Sequence, residues 1–580
     1  MSIVLNEKQL IVYKKLKQFC TSSKHEKFLL LAKSGCGKTT TVIKTLSETN
    51  LYVCFCTFTN KATKVMKDIV IDVVKNDPTI QNFTSSAHFQ TIHSLLKLEP
   101  NTIDLSAIKK EKGNISEKLY SDYHALYKDI YNWNELKYLL KDDDEIIKNG
   151  IVKDTRTVDD LLTFKYNFKK LDYLKYYNII VIDEVSTISR ELYIYLESTV
   201  KWLREICNHN IKIIFLGDYY QLPPINEKKS IVFKIAQKEK WPLFKLDKVM
   251  RAKTNQINEV NIKFTNFIDN VIKKKPLISR IIQTPYNIIP HDSQLYIDHQ
   301  ATFLQKYVDI KEEDKIIITY SNSNCDKMNN MVQSLIDTKI NTKRDFIVQQ
   351  VPKGFEYITP MIWFLPNDRL VIVHPIIVPN FVINKMNIGS DIYREEDVYC
   401  VMDDMSAVEN TTYKRNQNTM KIYNGDILIV HACENIKIHT AINRMHGPYP
   451  QIPKYFNGQL LTVYYASDAE NTLPNDQYMK LLHVDTLEVE KARRLLKKHL
   501  NYNTYIDIMS SFRKYITTLK RGHCITCYKS QGSEFKHVFV NLKSFWACLA
   551  SDKKINDLYI LFSAFYTACT RSSKYLYLYF

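Results

Sequence analysis

The stretch FLLLAKSGCGKTTT at residues 28–41 restricts the fold of this chain more than any other feature of its sequence. An apolar run gives way to a loop of small residues ending in Gly37-Lys38-Thr39, which predicts a buried strand, a phosphate-binding loop and a helix. Lys38 would neutralise the β- and γ-phosphates of a nucleotide, and Thr39 would offer its hydroxyl to Mg2+. Ala32 stands where the consensus has its first glycine. Alone, the loop could also be a turn that binds no nucleotide, so its context has to decide.

Glycine is scarce, with twelve residues in a chain of 580, so its positions are informative. Backbone can approach a ligand most closely where no side chain intervenes. Four glycines fall in candidate nucleotide motifs, namely Gly35, Gly37, Gly217 and Gly532.

The charge balance favours a polyanionic partner. Eighty Lys and Arg residues against 62 Asp and Glu give a net charge of +18, which is typical of proteins that bind nucleic acid. Lysines scattered over an ordinary basic protein would give the same balance.

The cysteines and the apolar runs predict a reduced, intracellular protein. Twelve cysteines form no even, closely spaced framework of the kind that disulfides need. Cys524 and Cys527 form one CxxC pair, for which a strand end is the favoured interpretation and a zinc site the alternative. No apolar run reaches the roughly 18 residues of a membrane span, and the N-terminus lacks the apolar core of a signal peptide. We therefore expect neither secretion nor a membrane partner.

Strand and helix patterns alternate over the first part of the chain. Residues 5–19 have the apolar spacing of a helix with Asn6 as its cap and Gln9 in its first turn. Short strands are predicted after it, at 52–58, within 83–93, at 178–182 and at 212–216. This alternation predicts a parallel sheet whose ligands bind beyond the carboxyl ends of the strands.

Polar residues follow two of these strands directly. Asp183 and Glu184 come after the strand at 178–182, where one carboxylate suits a role in holding Mg2+ and the other in polarising the attacking water. The next strand ends in GDYYQLPP, which places Gln221 on a rigid turn. We expect Gln221 to contact the γ-phosphate or the attacking water.

Changes in amino-acid composition and periodicity suggest two insertions. Residues 98–172 are charged, helical and rich in tyrosine, and Tyr120, Tyr123, Tyr127 and Tyr131 recur at helical spacing. Such a stripe usually packs, with base stacking or strand separation as the alternative. Residues 345–520 have short β runs around turns and predict a small β-barrel module. The predicted boundaries are 1–97, 98–172, 173–245, 246–344, 345–520 and 521–580.

Nine motifs in order resemble those of superfamily 1 helicases, in particular the 5′ to 3′ branch (superfamily 1B) that contains RecD, Dda and Pif. They are LNEKQ, AKSGCGKT, TFTNKAT, TIHSLLKLEP, VIDEVS, GDYYQLPP, KVMR, TCYKSQGSEF and YTACTR. The resemblance implies an α/β fold of two RecA-like parallel-sheet lobes with a P-loop motor. It also implies a helical pin-type insertion in the first lobe and an SH3-like insertion in the second.

The resemblance also implies residue roles. Catalysis would involve Lys38, Glu184, Gln221, Arg251 and Arg571, the two arginines acting as fingers from the second lobe. Mg2+ would be held by Thr39 and Asp183. The residues expected to bind ATP are Gln9 (through adenine), Ser34, Gly35, Cys36, Gly37, Lys38, Thr39, Thr40, Gln221, Arg251, Gly532, Glu534 (through the ribose) and Arg571. The residues expected to lie along a single nucleic-acid strand are Thr59, Asn60, Thr91, His93, Lys529, Ser530 and Gln531.

The activity expected from this resemblance is an ATP-dependent, Mg2+-dependent DNA helicase moving 5′ to 3′ on single-stranded DNA and tailed duplexes, in replication, recombination or repair. Tyr528 stands where the family has histidine, so the strand contact there stays open. The alternatives are an RNA-directed superfamily 1 helicase, a translocase that does not separate strands, and a binding or scaffold protein that keeps the fold without turnover.

Overall fold

The computed structural model divides the chain into two compact units, Met1–Ala252 and Lys253–Phe580. The part of the chain that the structure describes comprises residues 5–33, 35–75, 80, 82–100, 164–165, 168–225, 227, 229–247, 255–272, 296–340, 363–373, 376–378, 382–383, 399–400, 420–422, 425–439, 455–466, 478–484, 488, 491–492, 494–495, 519–549 and 555–580. Within it, no helix is long and apolar enough to cross a membrane.

The first unit is built around a six-stranded sheet in which every pairing is parallel. Its strands are β1 Lys27–Ala32, β2 Val53–Thr57, β3 Ala87–Thr91, β6 Ile179–Ile182, β7 Lys212–Gly217 and β8 Leu243–Leu246, with a separate short pair of β4 Glu99–Pro100 and β5 Phe164–Lys165. The order across the sheet is β3-β2-β6-β7-β1-β8. The parallel α/β sheet predicted from the sequence is therefore confirmed.

Helices cover both faces of this sheet. They are α1 Glu7–Thr21, α2 Lys38–Ser47, α3 Asn60–Lys75, α4 Phe83–Ser86, α5 Ile92–Leu95, α6 Arg190–Glu205 and α7 Ile231–Lys238, together with the 3-10 helices η1 Phe168–Tyr176 and η2 Val185–Thr187. Along β1, Leu29 joins the core on one face and Phe28 the core on the other. Strands buried on both faces need continuous apolar runs, and burying each such side chain contributes about 1.5–3 kcal/mol.

The first helix forms as its sequence predicts. The Asn6 side chain accepts a hydrogen bond from Gln9 N, and the Gln9 side chain accepts one from Asn6 N, which completes a capping box. Val12, Leu16 and Phe19 lie on one face at helical spacing and are buried. In contrast, part of the segment at 83–93 is helical before it becomes strand, since α4 precedes β3.

A second parallel sheet forms the centre of the second unit. Its strands are β9 Tyr296–Ile297, β10 Lys315–Thr319, β20 Cys524–Thr526, β21 Phe535–Asn541 and β22 Ser572–Tyr579, in the order β20-β10-β21-β22-β9. The helices of this unit are α8 Asn255–Ile272, α9 Gln300–Asp309, α10 Asn322–Lys339, α11 Cys527–Ser530, α12 Leu542–Leu549 and α13 Ile555–Cys569. Phe303 and Tyr307 of α9 pack against Phe539 of β21. Both predicted parallel sheets are thus present.

The inserted β-rich segment of the second unit forms a largely antiparallel sheet. Its strands are β11 Arg369–Ile372, β13 Val382–Ile383, β14 Tyr399–Cys400, β16 Ile427–His439, β17 Tyr455–Tyr465, β18 Met479–Val484 and β19 Leu519–Arg521. A separate pair consists of β12 Ile376–Val378 and β15 Met420–Ile422. The β-rich character predicted for this segment is confirmed, whereas its SH3-like form stays a prediction.

One buried arginine ties this antiparallel sheet to the parallel one. Arg369 of β11 donates from Nε to Gly522 O at 2.9 Å, from Nη1 to the Glu313 carboxylate at 2.8 Å and from Nη2 to Lys315 O at 2.7 Å. Gly522 leaves room for this approach, because a Cβ there would lie 2.7 Å from Leu370 O. The insertion is therefore fixed to the start of β10.

Most of the predicted helical insertion lies outside the described residues. This applies to 101–163, and with it to Tyr120, Tyr123, Tyr127 and Tyr131. The domain boundaries drawn from the sequence stay predictions.

Candidate functional site

Three neighbouring strands of the first sheet bring their carboxyl ends to one edge. β7 lies between β6 and β1, and Leu31 of β1 is in register with Gly217 of β7. The loop after β1 contains Lys38, the turn after β6 contains Asp183, and the turn after β7 contains Gln221. Lys38, Asp183 and Gln221 therefore follow strands that end at this edge, as expected for a parallel sheet.

The phosphate-binding loop owes its shape to two glycines. Gly35 and Gly37 have φ of +79° and +76°, in the left-handed region that favours glycine. A Cβ on Gly37 would also lie 2.5 Å from Gln9 Nε2. The helix α2 begins at Lys38, so its positive end is directed at the loop. Ser34 lies outside the described residues.

Gln9 is held against this loop. Its side chain is 4% exposed, and Nε2 donates to Cys36 O at 3.1 Å while Oε1 accepts from Asn6 N at 3.0 Å. The amide therefore couples the start of α1 to the phosphate-binding loop. The contact with adenine stays a prediction.

The charge on Lys38 is set by the carboxylates around it. Lys38 Nζ lies 3.4 Å from Asp183 Oδ1. Burial by itself would lower the pKa of Lys38, but the carboxylates of Asp183, Glu184 and Asp218 outweigh this effect and raise the pKa. The ammonium group is therefore charged at any pH near neutrality, as a phosphate ligand must be.

Oxygen atoms suited to Mg2+ converge beside Lys38. Thr39 Oγ1 lies 3.4 Å from Asp183 Oδ2, at the start of α2. A hydroxyl and a carboxylate are the hard oxygen ligands that Mg2+ prefers, with water and phosphate completing its shell. The residues present therefore fit the ion that the sequence predicts.

Glu184 occupies a strained turn directly after Asp183. Its φ of +59° is unusual for a residue with a side chain, and its N–H donates to Asp183 Oδ1 at 2.8 Å. Val185 packs against Gly217, where a Cβ would lie 2.4 Å from Val185 Cγ1. The tight packing of this turn on β7 holds both carboxylates in place.

The turn after β7 contains a residue to which the sequence had given no role. Asp218 is 1% exposed, accepts from Tyr220 N at 3.1 Å and contributes to the raised pKa of Lys38. Gln221 is 2% exposed, and its N–H donates to Asp218 O at 3.3 Å. The signal that could have identified Asp218 is its position directly after a buried strand, as with Asp183.

The predicted strand contacts of the first unit lie at the same edge, after β2 and β3. Thr59 Oγ1 accepts from Ala62 N, and Thr91 Oγ1 accepts from Ser94 N, so each hydroxyl caps the start of a helix. A hydroxyl that accepts in this way can still donate its own proton to a phosphate oxygen. His93 packs edge-on against Phe58, and burial lowers the pKa of His93. The backbone of Asn60 begins α3.

In the second unit the structure places Glu534 and Arg571 near each other. Arg571 is 5% exposed, its Nη1 donates to Ser533 O at 3.4 Å, and its carbonyl accepts from Phe535 N at 3.0 Å. Glu534 is exposed between those two residues, and Gly532 before them has a φ of +73°. Arg251 lies outside the described residues.

The predicted strand contacts after β20 differ in how far their side chains are exposed. Lys529 is half-buried in α11, whereas Ser530 is fully buried and its hydroxyl donates to Cys527 O at 2.7 Å. The Gln531 Nε2 atom is buried with no hydrogen-bond partner among the described residues. In this structure Ser530 therefore offers no side-chain surface to a nucleic-acid strand, while Lys529 does.

The CxxC pair belongs to the core. Cys524 Sγ lies 3.6 Å from Thr319 Oγ1, and Cys527 Sγ donates to Ala564 O at 3.3 Å. Burial raises the pKa of Cys527 to about 12, which disfavours the thiolate that zinc requires. Among the described residues no group of three or more candidate ligands could hold a metal ion. The strand-end interpretation of the pair is therefore preferred.

Two family models match the chain. The AAA domain matches residues 17–227, which include Lys38, Asp183 and Gln221. The UvrD-like helicase C-terminal domain matches residues 521–579, which include Lys529 and Arg571.

Relatives resemble the chain over nearly its whole length but at low identity. An uncharacterized protein of Acanthamoeba polyphaga mimivirus is 23% identical over 592 residues, which cover 99% of each chain. Pif1 helicase from Bacteroides, solved with ADP-AlF3 and ssDNA, is 12% identical with a TM-score of 0.38, covering 99% of this chain and 92% of that one. Pif1 helicase from Candida albicans is 12% identical with a TM-score of 0.39, covering 99% and 95%. Identities and TM-scores this low carry no information about the roles of single residues. The two family models confirm the resemblance to helicases that the sequence predicts.

Proposed function

Because an AAA domain model and a UvrD-like helicase C-terminal domain model match successive parts of the chain, we propose that it is a superfamily 1B, ATP-dependent DNA helicase moving 5′ to 3′ on single-stranded DNA. The observation that carries this proposal is the convergence of Lys38, Thr39, Asp183 and Gln221 at the carboxyl ends of three adjacent strands. Its substrates would be single-stranded DNA and tailed duplexes in replication, recombination or repair.

The residues of the first unit would bind and activate ATP. Lys38 and the N–H groups of the glycine loop would hold the β- and γ-phosphates. Thr39 and Asp183 would hold Mg2+, which neutralises phosphate charge when bound. Glu184 would accept a proton from the attacking water, and Gln221 would orient that water against the γ-phosphate. Gln9, through its link to Cys36, would report the presence of adenine to the loop.

Two arginines would complete the reaction. Arg571 of the second unit and Arg251, next to the boundary at Ala252, would stabilise the charge on the transferring phosphoryl group, an effect worth about 10³ to 10⁵ in rate where arginine fingers have been removed. Gly532 and Glu534 would meet the nucleotide beside them, Glu534 through the ribose. ATP would thus be held by both units, and its hydrolysis would release them from each other.

Movement would follow if the two units grip the strand alternately. Thr59, Asn60, Thr91 and His93 would contact phosphates from the first unit, and Lys529 and Gln531 from the second. Ser530 would act through its backbone, because its side chain is buried. Each cycle of closing and opening would then draw the strand in one direction.

An unwinding assay tests activity, polarity and substrate together. With ATP and Mg2+ present, a duplex with a 5′ single-stranded tail should be separated, while blunt duplexes and those with a 3′ tail should stay paired. Separation of the 3′-tailed duplex alone would overturn the polarity. Hydrolysis of ATP that is stimulated by DNA without any strand separation would indicate a translocase, and stimulation by RNA oligonucleotides alone would indicate an RNA-directed motor.

A further inference from the structure

A groove runs along the outer strand of the first sheet, away from the nucleotide site. Its cavity has a volume of about 500 Å3, and its floor includes His88, Phe89 and Gln90 of β3. β3 is the end strand of the sheet, separated by β2 from the three strands that carry the nucleotide site. The groove therefore lies apart from the nucleotide site, on the strand that ends at the predicted nucleic-acid contact Thr91.

Two helices form its walls. Lys67, Val70 and Ile71 of α3 line one side, and Tyr173 of η1 lines the other. Tyr177, which directly follows η1, lines the same side as Tyr173. Its hydroxyl lies 3.1 Å from Nδ1 of His88 on the floor.

Basic side chains lie on both sides of the groove. Lys67 is exposed on one wall, and Lys64 precedes it by one turn of α3. On the other wall, Lys170 precedes Tyr173 by three residues, and Lys97 Nζ lies 4.8 Å from the centre of the Tyr173 ring. The acidic residues of α3, Asp68 and Asp72, lie further round the helix. Lysines therefore lie on both sides of the groove, Lys67 in its lining and Lys97 against the ring of the lining residue Tyr173, which favours an acidic occupant.

The floor of the groove is a strand edge. β3 pairs with β2 on one side, and no strand among the described residues pairs with its other side. Such an edge offers alternating N–H and C=O groups, which match the backbone of an extended peptide. A nucleic-acid strand presents acceptors on its phosphates but no such alternation, so the edge favours a peptide.

We propose that this groove binds an extended acidic segment of a partner protein, which adds to β3 as a further strand. Backbone hydrogen bonds to β3 would give affinity. The lysines would select acidic side chains, and Tyr173 and Tyr177 would contact the apolar ones. The proposal concerns a protein partner and does not depend on the direction or substrate of the motor.

Fluorescence anisotropy with the full-length chain tests this proposal. The probe is a fluorescein-labelled dodecapeptide that alternates glutamate with valine. We expect it to bind, and we expect the double variant Lys67→Glu/Lys170→Glu to weaken binding about tenfold or more, in line with a loss of about 1.4 kcal/mol per factor of ten. A peptide of the same sequence that is N-methylated at alternate residues should bind as weakly, because it lacks the N–H groups that β3 would accept.

The matched control carries the same change of charge at the opposite edge of the sheet. Lys14 and Lys15 are exposed on α1, which packs near β8, so Lys14→Glu/Lys15→Glu should leave peptide binding unchanged. Both double variants should keep the far-ultraviolet circular dichroism spectrum and the thermal midpoint of the native chain, which shows that each is folded. The proposal is overturned if the peptide fails to bind the native chain, if the N-methylated peptide binds equally well, or if the groove variant loses affinity for oligothymidylate and not for the peptide.

Discussion

Lys38 is subject to two opposing effects on its pKa. Burial would lower the pKa, and the carboxylates of Asp183, Glu184 and Asp218 raise it. Lys38, Asp183, Glu184 and Gln221 could be predicted from the sequence, because each follows a recognisable strand or loop. Asp218 also follows a buried strand directly, but its effect on the pKa of Lys38 could not be predicted, because that effect depends on the proximity of two strands that are far apart in sequence.

Asp218→Asn tests whether this carboxylate positions the charge of Lys38. The amide keeps the size of the side chain and an oxygen for Tyr220 N, but it removes a negative charge and so lowers the pKa of Lys38. The alkaline limb of the pH profile of ATP hydrolysis should therefore move to lower pH, with the rate near neutrality reduced by about tenfold or less. An unchanged alkaline limb would show that Asp218 has a merely structural role.

At the scale of elements, helices that depend on local sequence patterns can be predicted from the sequence, whereas contacts between distant segments cannot. The helix α1 follows from its cap at Asn6 and its apolar spacing, both within a few residues. The helical turn α4, Phe83–Ser86, was not predicted, although the Ser85 hydroxyl donates to Asn82 O and the Ser86 hydroxyl to Phe83 O within it. The link from Arg369 to Glu313 and Gly522 was not predicted either, since its partners come from separate segments.

Arg369→Met should destabilise the chain strongly. Arg369 is 3% exposed, and the substitution would leave the Glu313 carboxylate and three carbonyl oxygens without their donor. The Glu313 side chain is 36% exposed and can be solvated, so the main loss comes from the buried carbonyl oxygens, at about 1–3 kcal/mol for each one left without a donor. The measurement is the midpoint of thermal or urea denaturation of the full-length chain.

The matched control is Arg204→Met. Arg204 forms an ion pair with Glu26, but both side chains are exposed by more than a third. Exposed pairs contribute about 0–1 kcal/mol, so this variant should remain close to the native chain. Equal losses in the two variants would show that Arg369 does not fix the inserted sheet.

At the scale of the whole molecule, the sequence predicts two parallel sheets with insertions, and both sheets are present. The predicted pattern succeeds because parallel sheets need apolar strands and leave their ligands at one edge. The order of the strands was not predicted, because it depends on which strands pair across the fold. The helical insertion lies largely outside the described residues, and the SH3-like form of the β-rich segment stays a prediction.

The most direct test of the account is the rate of DNA-stimulated ATP hydrolysis by Lys38→Ala, with Lys44→Ala as its control. Both lysines belong to α2, but Lys44 pairs with Glu48 at the far end of the helix. Removing Lys38 should lower the rate by about 10²-fold or more, as expected when a charge aimed at the reacting phosphate is lost, and strand separation should disappear with it. Lys44→Ala should retain both activities. Strand-stimulated hydrolysis in Lys38→Ala at the native rate would contradict the assignment of this loop as the site where ATP drives the motor.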